Sequence, residues 1–387
     1  MTSTSKVGRR PPRVPPVADV PCAYRARARS GSRVLADSTG ALVEERPDDL
    51  PRLHFPVEDL IDATASTPSR DGFVTFDDPA VELELVDTVA GEDPRDVTVK
   101  RFPLWGDAAH LIEMLDVVPS GERTFVGPAR ADVRRPVVEA SQMLGQAMVA
   151  AARHAPGRRI TSAHLAVYRA ADARRPLDLR LEDLSTGRTF STVAVTVAQG
   201  RDCGTAVVQL HAGSPDVVRH AAAAPPCAGP YESVPYDMSV TGRDLRVVDA
   251  AYTNDSDAPV GPPVIDAWVR FRTVPDDPAL HAALLAQFAG HMPIAAALRP
   301  HAGIGQDQAH RTVSMGINAI SLSMHADVRA DTWMRYRHES TFAGDGMTHA
   351  ECRVYTEHGT LVASFTVEAM VRPFADTMGP VDDRTAL

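Results

Sequence analysis

The sequence of 387 residues contains only four cysteines, and none of them forms a CxxC pair. This excludes the dense disulfide framework of small secreted domains, so the cysteines are expected to be reduced thiols of a cytoplasmic protein. No apolar run reaches the roughly 18 residues that a membrane-spanning helix needs, so no membrane span is expected. The N-terminus is basic and proline-rich but lacks an apolar h-region, which argues against a secretory signal.

An excess of positive charge is lacking as well. The chain has 40 Lys and Arg against 50 Asp and Glu, which gives a formal net charge of -10. Proteins that bind nucleic acid rely on Lys and Arg contacts to phosphates, so a nucleic-acid partner is not expected. A content of 44% hydrophobic and 23% charged residues, with 31 prolines, is typical of a soluble globular protein of two or three units.

The most regular pattern lies near the C-terminus. Segments that alternate or run apolar are separated by turn signals such as His358-Gly359. The predicted strands there are Ile317–His325, Trp333–Ser340, Thr348–Tyr355 and Leu361–Val371. Asp277–Leu298, which precedes them, is apolar at helical spacing and predicts a long helix. A long helix followed by an antiparallel sheet that wraps it is the plan of a hotdog fold.

A second helix followed by strands precedes this one. Glu139–Ala152 is rich in Ala and Met and predicts a helix packed deep in a sheet, after a short helix at Ala108–Val117. Further strands are predicted at Ile160–Tyr168, Leu177–Leu184, Thr189–Gln199, Ala206–Leu210, Asp244–Ala251 and Ile265–Thr273. The sequence therefore predicts an α+β double hotdog, in which two tandem units join their sheets edge to edge and so hide the edge strands.

Composition breaks suggest the boundaries of these parts. We expect a disordered tail (1–19), a small β-rich segment (20–75), a linker with mixed strands (76–107), a first hotdog unit (108–212), a connector (213–238) and a second hotdog unit (239–375). In the small segment, Tyr24–Ala28 is predicted to pair with Ser32–Asp37, and Ala41–Glu45 with Arg52–Phe55. This segment resembles a small uncharacterised β-rich bacterial domain, which implies a fold fragment without a role in catalysis.

Several motifs of the C-terminal stretch occur together and in order. They are Leu298-Arg299-Pro300-His301-Ala302-Gly303-Ile304-Gly305, His325 with Trp333 eight residues later, Glu339-Ser340, Leu361-Val362-Ala363-Ser364 and Met370-Val371-Arg372. In this the chain resembles the acyl-CoA thioesterase II family. The resemblance implies a double hotdog that hydrolyses a fatty acyl-CoA, or a related acyl-carrier thioester, to free acid and CoA. A homo-oligomer is also compatible with it.

The same resemblance places the catalytic groups in the second hotdog unit, where the family holds a water with an Asp, a Gln and a hydroxyl. At the matching positions this chain has Ala319 and Val367, while Ser340 or Thr341 retains the hydroxyl. Another acidic position of the family, near the end of the second helix, is His291 here. The family's catalytic set is thus largely replaced, and a catalytically inactive acyl- or CoA-binding protein is the alternative.

Four residues are candidates for the replaced site. His291 lies where Gly and Pro interrupt the predicted helix, and a neutral histidine there can serve as the base; otherwise it is a kink residue. Asn318 adjoins the vacated Asp position and can orient water if a β-bulge shifts the register; without a bulge it points to the opposite face. The hydroxyl of Thr341 can also orient water. Glu139 precedes the first central helix, at a position that is catalytic in other hotdog thioesterases, and is the alternative base or a helix cap.

Basic residues are candidates for the phosphates of CoA, because an acidic protein needs a local basic patch for them. These are Arg134, Arg135, Arg329, Arg335 and Arg337. No cofactor or metal is expected, since the spacing of His301, Asp307 and His310 is not diagnostic of a metal site.

Overall fold

The computed structural model describes residues 19–22, 24–44, 51–87, 98–102, 109–129, 137–236, 242–251, 258–272, 274–309 and 312–373. Apart from Asp19, the tail predicted for 1–19 lies outside these residues, as do Arg134, Arg135 and His310. The chain divides into two compact parts, an N-terminal part, Met1–Leu104, and a C-terminal part, Trp105–Leu387. No helix among the described residues combines the length and apolarity needed to cross a membrane.

The N-terminal part consists of strands. They are β1 (Asp19–Pro21), β2 (Arg25–Ser30), β3 (Arg33–Ser38), β4 (Leu42–Glu44), β5 (Arg52–Pro56), β6 (Ser66–Arg70), β7 (Phe73–Phe76), β8 (Glu82–Asp87) and β9 (Thr98–Arg101). Their sheets have the orders β1-β4-β5-β7-β6 and β3-β2-β8-β9. The predicted pairings of β2 with β3 and of β4 with β5 are present. Within the segment 76–107, expected to be a linker with mixed strands, β8 and β9 extend the sheet of β2, where Leu85 is buried.

The C-terminal part contains the helices and the remaining strands. The helices are α1 (Ala109–Leu115), α2 (Ala140–His154), α3 (Pro278–Phe288) and α4 (Pro293–Leu298). The strands are β10 (Val118–Gly121), β11 (Thr124–Gly127), β12 (Arg159–Val167), β13 (Leu177–Thr186), β14 (Phe190–Ala198), β15 (Asp202–His211), β16 (Val234–Pro235), β17 (Arg243–Val247), β18 (Val264–Phe271), β19 (Val313–Met324), β20 (Met334–Gly344), β21 (Met347–Thr356) and β22 (Leu361–Pro373).

These strands form one antiparallel sheet of 13 strands, in the order β10-β11-β13-β14-β15-β12-β19-β22-β21-β20-β18-β17-β16. In this order the first six strands, β10 to β12, come from the first hotdog unit. The last seven, β19 to β16, come from the second hotdog unit. The two halves join where β12 pairs with β19, with Ala163 opposite Leu322. Inward-facing residues of the sheet and the faces of α2 and α3 share one apolar core. The predicted double hotdog with contiguous sheets is therefore confirmed.

The sequence predicted one continuous second central helix, but the structure has two short helices instead. Asp277 caps α3 by accepting a hydrogen bond from the backbone N–H of Ala279 at 2.9 Å. The helix ends at Phe288, and α4 begins five residues later with Pro293, whose ring lacks the N–H that would continue the helix from the preceding turn. The break leaves Gly290 and His291 between two short helices.

Helices α2 and α3 pack against each other in opposite directions. At their crossing a Cβ on Gly145 would lie 3.2 Å from the carbonyl oxygen of Ala283, so glycine is what permits the close approach. The N-terminus of α2 meets the end of α3, and the end of α2 meets the N-terminus of α3, where Arg153 lies 3.8 Å from Asp277. The pair therefore has two ends at which polar groups from both hotdog units come together.

Candidate active site

One end of the helix pair brings the start of α2 against the break between α3 and α4. Gly290 makes this possible, because a Cβ there would lie 2.9 Å from Ser141 Oγ and 3.1 Å from Ile317 Cδ1. The first-turn amides of α2 have no partners within the helix, and the positive end of the helix dipole is located there. Glu139, the residue before the helix, makes no side-chain capping bond.

A cluster of four polar side chains occupies this end. Gln287 Nε2 donates to Glu139 Oε2 at 3.3 Å, and Arg243 Nη1 donates to Gln287 Oε1 at 3.3 Å. His291 Nε2 accepts from the same Arg243 Nη1 at 3.3 Å and lies 3.8 Å from Glu139 Oε2. The two residues that the sequence offered as alternative bases thus belong to one site. We call these four residues the Glu139 cluster.

The members of the cluster differ in their exposure to solvent. The Glu139 side chain is 56% exposed, whereas that of His291 is 7% exposed and stacks on Phe288 at 5.1 Å between ring centroids. Burial lowers the pKa of His291 to about 4; Arg243 also lowers it, and Glu139 opposes the shift. The imidazole is therefore neutral at pH 7, and its Nε2 is occupied by Arg243. Glu139 is the carboxylate that a substrate can reach.

Asn318 lies at a β-bulge, the feature that its predicted role required. Strand β19 shifts register against β22 between Ile317, which pairs with Ala369, and Ala319, which pairs with Glu368. Asn318 is the additional residue, and its Oδ1 is buried without a hydrogen-bond partner in the described part of the chain. An amide oxygen in that state is suited to accept a hydrogen bond from a ligand or a water.

Thr341 is not brought to the Glu139 cluster. It is exposed, and its Oγ1 lies 2.7 Å from Nδ1 of His349. In β21 the residues on either side of His349, Thr348 and Ala350, are buried, so by strand alternation His349 faces away from the core. The hydroxyl of Thr341 accordingly lies on the outer face of the sheet.

Three of the arginines expected to meet CoA phosphates lie in the described part of the chain, and carboxylates hold all three. Arg335 and Arg337 bind the two oxygens of Asp266 at 2.8 and 3.0 Å. Arg329 binds Asp276 at 3.0 Å and also pairs with Asp331. These contacts explain the arginines as parts of ion pairs.

Two members of the cluster, Arg243 and Gln287, were missed by sequence reasoning. Gln287 lies four residues before His291, so the continuous helix that the sequence predicts would place both on one side, and this spacing could have identified it. Arg243 is buried at the start of a strand, and a lone arginine there carries no such signal.

A third buried polar residue, His338, was also not identified from the sequence. It is fully buried on β20, stacked with Tyr336 and 6.3 Å from the ring of Phe288. Its inward position follows from alternation with Tyr336 two residues earlier.

Comparison with known proteins agrees with this architecture. Residues 130–212 match the family model "Acyl-CoA thioesterase N-terminal domain", and residues 223–371 match "Acyl-CoA thioesterase C-terminal domain". Human acyl-coenzyme A thioesterase 8 is 26% identical over 257 residues, which cover 60% of this chain and 79% of that protein. The mouse protein of the same name is 25% identical over 281 residues, covering 66% of this chain and 82% of the relative.

Solved structures share the fold. The tesB protein of Mycobacterium avium subspecies paratuberculosis aligns with a TM-score of 0.59 and 23% identity, over 69% of this chain and all of that chain. Acyl-CoA thioesterase II TesB2 from Mycobacterium marinum aligns with a TM-score of 0.58 and 23% identity, over 67% of this chain and 97% of that chain. The two matching family models together span more than half of the sequence, and the chain belongs to the acyl-CoA thioesterase family.

Proposed function

We propose that this chain, a thioester hydrolase by its family, hydrolyses acyl-CoA at the Glu139 cluster. The observation that carries the location is the half-exposed Glu139 carboxylate at the N-terminus of α2, tethered by Gln287 and backed by His291. It combines a proton acceptor with the unpaired amides of a helix terminus, which are the two groups that water attack on a thioester requires.

The reaction follows from these groups. Glu139 takes a proton from a water, whose oxygen attacks the thioester carbonyl carbon and converts its π bond to an oxyanion. The first-turn amides of α2 donate hydrogen bonds to that oxyanion, where the helix dipole also favours negative charge. The intermediate then re-forms the carbonyl and breaks the carbon–sulfur bond, and the proton on Glu139 passes to the departing thiolate. The products are the free acid and CoA.

His291 acts as a positioning residue in this scheme. Its neutral ring accepts a hydrogen bond from Arg243, which also donates to Gln287 and so fixes the amide that holds Glu139. This changes the base from His291, which the sequence favoured, to Glu139. The reason is that the His291 nitrogen is buried and already bonded.

The groups that hold the water differ from those of the family. Val367 is buried in the core and supplies no hydrogen bond, and Ala319 supplies none either. Asn318, displaced by the bulge and with an unpaired Oδ1, is the polar group that we assign to orient the water. No observation on the described residues favours the binding-only alternative.

The substrate that we assign is an acyl-CoA, since the curated relatives are named acyl-coenzyme A thioesterases. The cytoplasmic location and the homo-oligomer expected from the sequence belong to this proposal. The location is supported by the cysteines, because all four are free.

Hydrolysis of short-, medium- and long-chain acyl-CoA by the full chain, followed by thiol release, tests the proposal. Glu139→Gln keeps the shape and the bond to Gln287 but removes the base, so turnover should fall roughly 10²–10⁴-fold. The matched control Glu351→Gln changes an exposed carboxylate of β21 and should leave turnover unchanged. If Glu139→Gln retains the parental rate with every chain length, the catalytic site lies elsewhere.

His291 is tested by a pair of variants. His291→Ala should lower turnover about tenfold without changing the fold. Arg243 then loses the acceptor of one of its hydrogen bonds and no longer fixes Gln287. His291→Gln offers an acceptor again and should recover most of the loss, which a role as mere packing would not produce. Equal turnover of His291→Ala and the parent would leave His291 as a kink residue only.

A further inference from the structure

The opposite end of the helix pair contains a cavity of about 690 Å³. It is bordered by the end of α2, the first turn of α3 and the end of β19. Its size lies within the range of roughly 300–1,000 Å³ typical of small-molecule sites. Asp277 caps α3 here, as the residue that corresponds to Glu139 at the start of α2, but its Oδ1 accepts from Ala279 N–H at 2.9 Å and Arg153 lies 3.8 Å away. The Asp277 carboxylate is therefore engaged at its helix terminus, unlike that of Glu139.

His281 is among the residues that line this cavity, and its ring has a buried donor without an acceptor in the described part of the chain. It is 2% exposed, and its Nδ1 accepts a hydrogen bond from the backbone N–H of Ala330 at 3.0 Å. The proton of the neutral ring is then on Nε2, which has no hydrogen-bond partner in the described part of the chain. A buried donor left unpaired costs free energy, so a ligand that brings an acceptor would be stabilised here.

Two of the arginines that line the cavity, Arg158 and Arg159, form no ion pair with a carboxylate in the described part of the chain. Arg158 Nη2 donates to the backbone carbonyls of Gly187 and Arg188, at 2.7 and 3.3 Å. Arg159 is exposed. Their positive charges are thus available to an anion, unlike that of Arg153.

The rest of the lining limits the kind of anion. Apolar side chains form much of the wall, namely Ala152, Ile160, Ala282, Met324 and Val328. Three carboxylates, those of Asp276, Asp277 and Asp327, also border the cavity and would repel a polyanion such as the phosphates of CoA. An apolar chain with a single negative charge fits both features.

We propose that this cavity binds a fatty acid, with the chain against the apolar wall and the carboxylate at Arg158, Arg159 and His281. The inference rests on the proposed function only in that a fatty acid is the expected product. It makes the cavity a second ligand site, at the far end of the helix pair from the Glu139 cluster.

Calorimetric titration of the full chain with dodecanoate tests the site. The titration uses the Glu139→Gln variant, in which binding should persist because the cavity does not contain Glu139. Dodecanol and free CoA are titrated in parallel, and both should bind at least about tenfold more weakly than dodecanoate, because one lacks the charge and the other lacks the chain. Equal binding of dodecanol or of CoA overturns the assignment, as does the absence of dodecanoate binding.

Variants then locate the bound dodecanoate. Arg158→Gln with Arg159→Gln should weaken its binding about tenfold, and Ala279→Leu, which fills the cavity from the first turn of α3, should do so independently. Arg180→Gln removes a positive charge elsewhere in the first hotdog unit and should have no effect. Unchanged binding in both cavity variants overturns the proposal. Turnover of the double arginine variant should equal that of the parent, and its loss would show that the cavity is the catalytic site instead.

Discussion

The fully buried His338 makes the C-terminal part sensitive to acid. Its ring lies among Phe288, Tyr336 and Phe365, and neither nitrogen forms a regular hydrogen bond in the described part of the chain. Burial lowers the pKa of His338 to about 3; the backbone of Ile265 opposes the shift, and His291 adds to it. The folded protein therefore keeps this ring neutral in mildly acidic solution, whereas the unfolded chain binds a proton with a pKa near 6.5.

The sign and size of the effect follow from proton linkage. Between pH 6.5 and pH 3 the unfolded state carries one proton more than the folded state at this residue, so the free energy of unfolding falls as the pH is lowered. The loss is about 1.4 kcal/mol per pH unit, which gives about 2 kcal/mol between pH 6.5 and pH 5. Above pH 6.5 both states are neutral and the contribution is constant.

The variant His338→Leu removes the titration and keeps a similar volume. Because the histidine makes no regular hydrogen bond, the free energy of unfolding at pH 7.5 should change by less than about 1.5 kcal/mol. At pH 5 the variant should gain about 2 kcal/mol relative to the parent, compared with their difference at pH 7.5. The contribution of His291 to the free energy of unfolding also falls in acid, but it does so in both proteins and cancels in this comparison.

Urea unfolding followed by tryptophan fluorescence provides the measurement, because all three tryptophans lie in the C-terminal part. His358→Gln, at an exposed turn, serves as the control and should keep the parental dependence on pH. Parallel stability curves of the parent and His338→Leu from pH 7.5 to pH 5 would refute the argument, since the buried ring would then titrate as it does in the unfolded chain.

Three further predictions concern single features. Gly290→Ala should lower the free energy of unfolding by about 1–3 kcal/mol, because its Cβ would lie 2.9 Å from Ser141 Oγ, while the uncrowded Gly229→Ala should change it by less than about 0.5 kcal/mol in the same denaturation assay. Removal of residues 1–104 should leave turnover per folded molecule within about twofold, since these residues have a core of their own; a larger loss would give them a role in hydrolysis. Thr341→Val should retain parental turnover in the thiol-release assay because the residue lies on the outer face, and a tenfold loss would return the hydroxyl to the site.

The fold was predictable because burial follows the sequence pattern so directly. In β21 the even-numbered residues from Thr348 to Val354 are buried and alternate with exposed Glu351 and Arg353, as the period of a half-buried strand requires. The break in the second helix has its cause in Gly290 and Pro293, yet apolar spacing continued across it and favoured one long helix. The spacing of apolar residues shows only which face of a helix is buried. Because α3 and α4 both have a buried apolar face, the spacing does not reveal that one helix ends and another begins.

The site was less predictable because its members are distant in sequence. Glu139 and Gln287 are 148 positions apart and meet only because α2 and α3 run in opposite directions. The sequence marked Glu139 and His291 as alternatives in different units, without the contact that makes them partners. The bulge at Asn318 is a shift of register within an otherwise regular strand, and Gly316, two positions before it, does not by itself predict a bulge.

The two ends of the helix pair indicate how the chain can act with Ala319 and Val367 at the positions where the family resemblance implies an Asp and a Gln. An acidic residue directly precedes both α2 and α3, so one carboxylate lies at each end of the pair. The Asp277 carboxylate accepts the capping hydrogen bond of α3 and lies 3.8 Å from Arg153. Glu139 makes no capping bond and remains half exposed. Under the proposed function, Glu139 is therefore the base of a site in which the second unit has Ala319 and Val367. The other end has a cavity lined by Arg158 and Arg159, which form no ion pair in the described part of the chain, and we assign this end to hold a ligand without converting it.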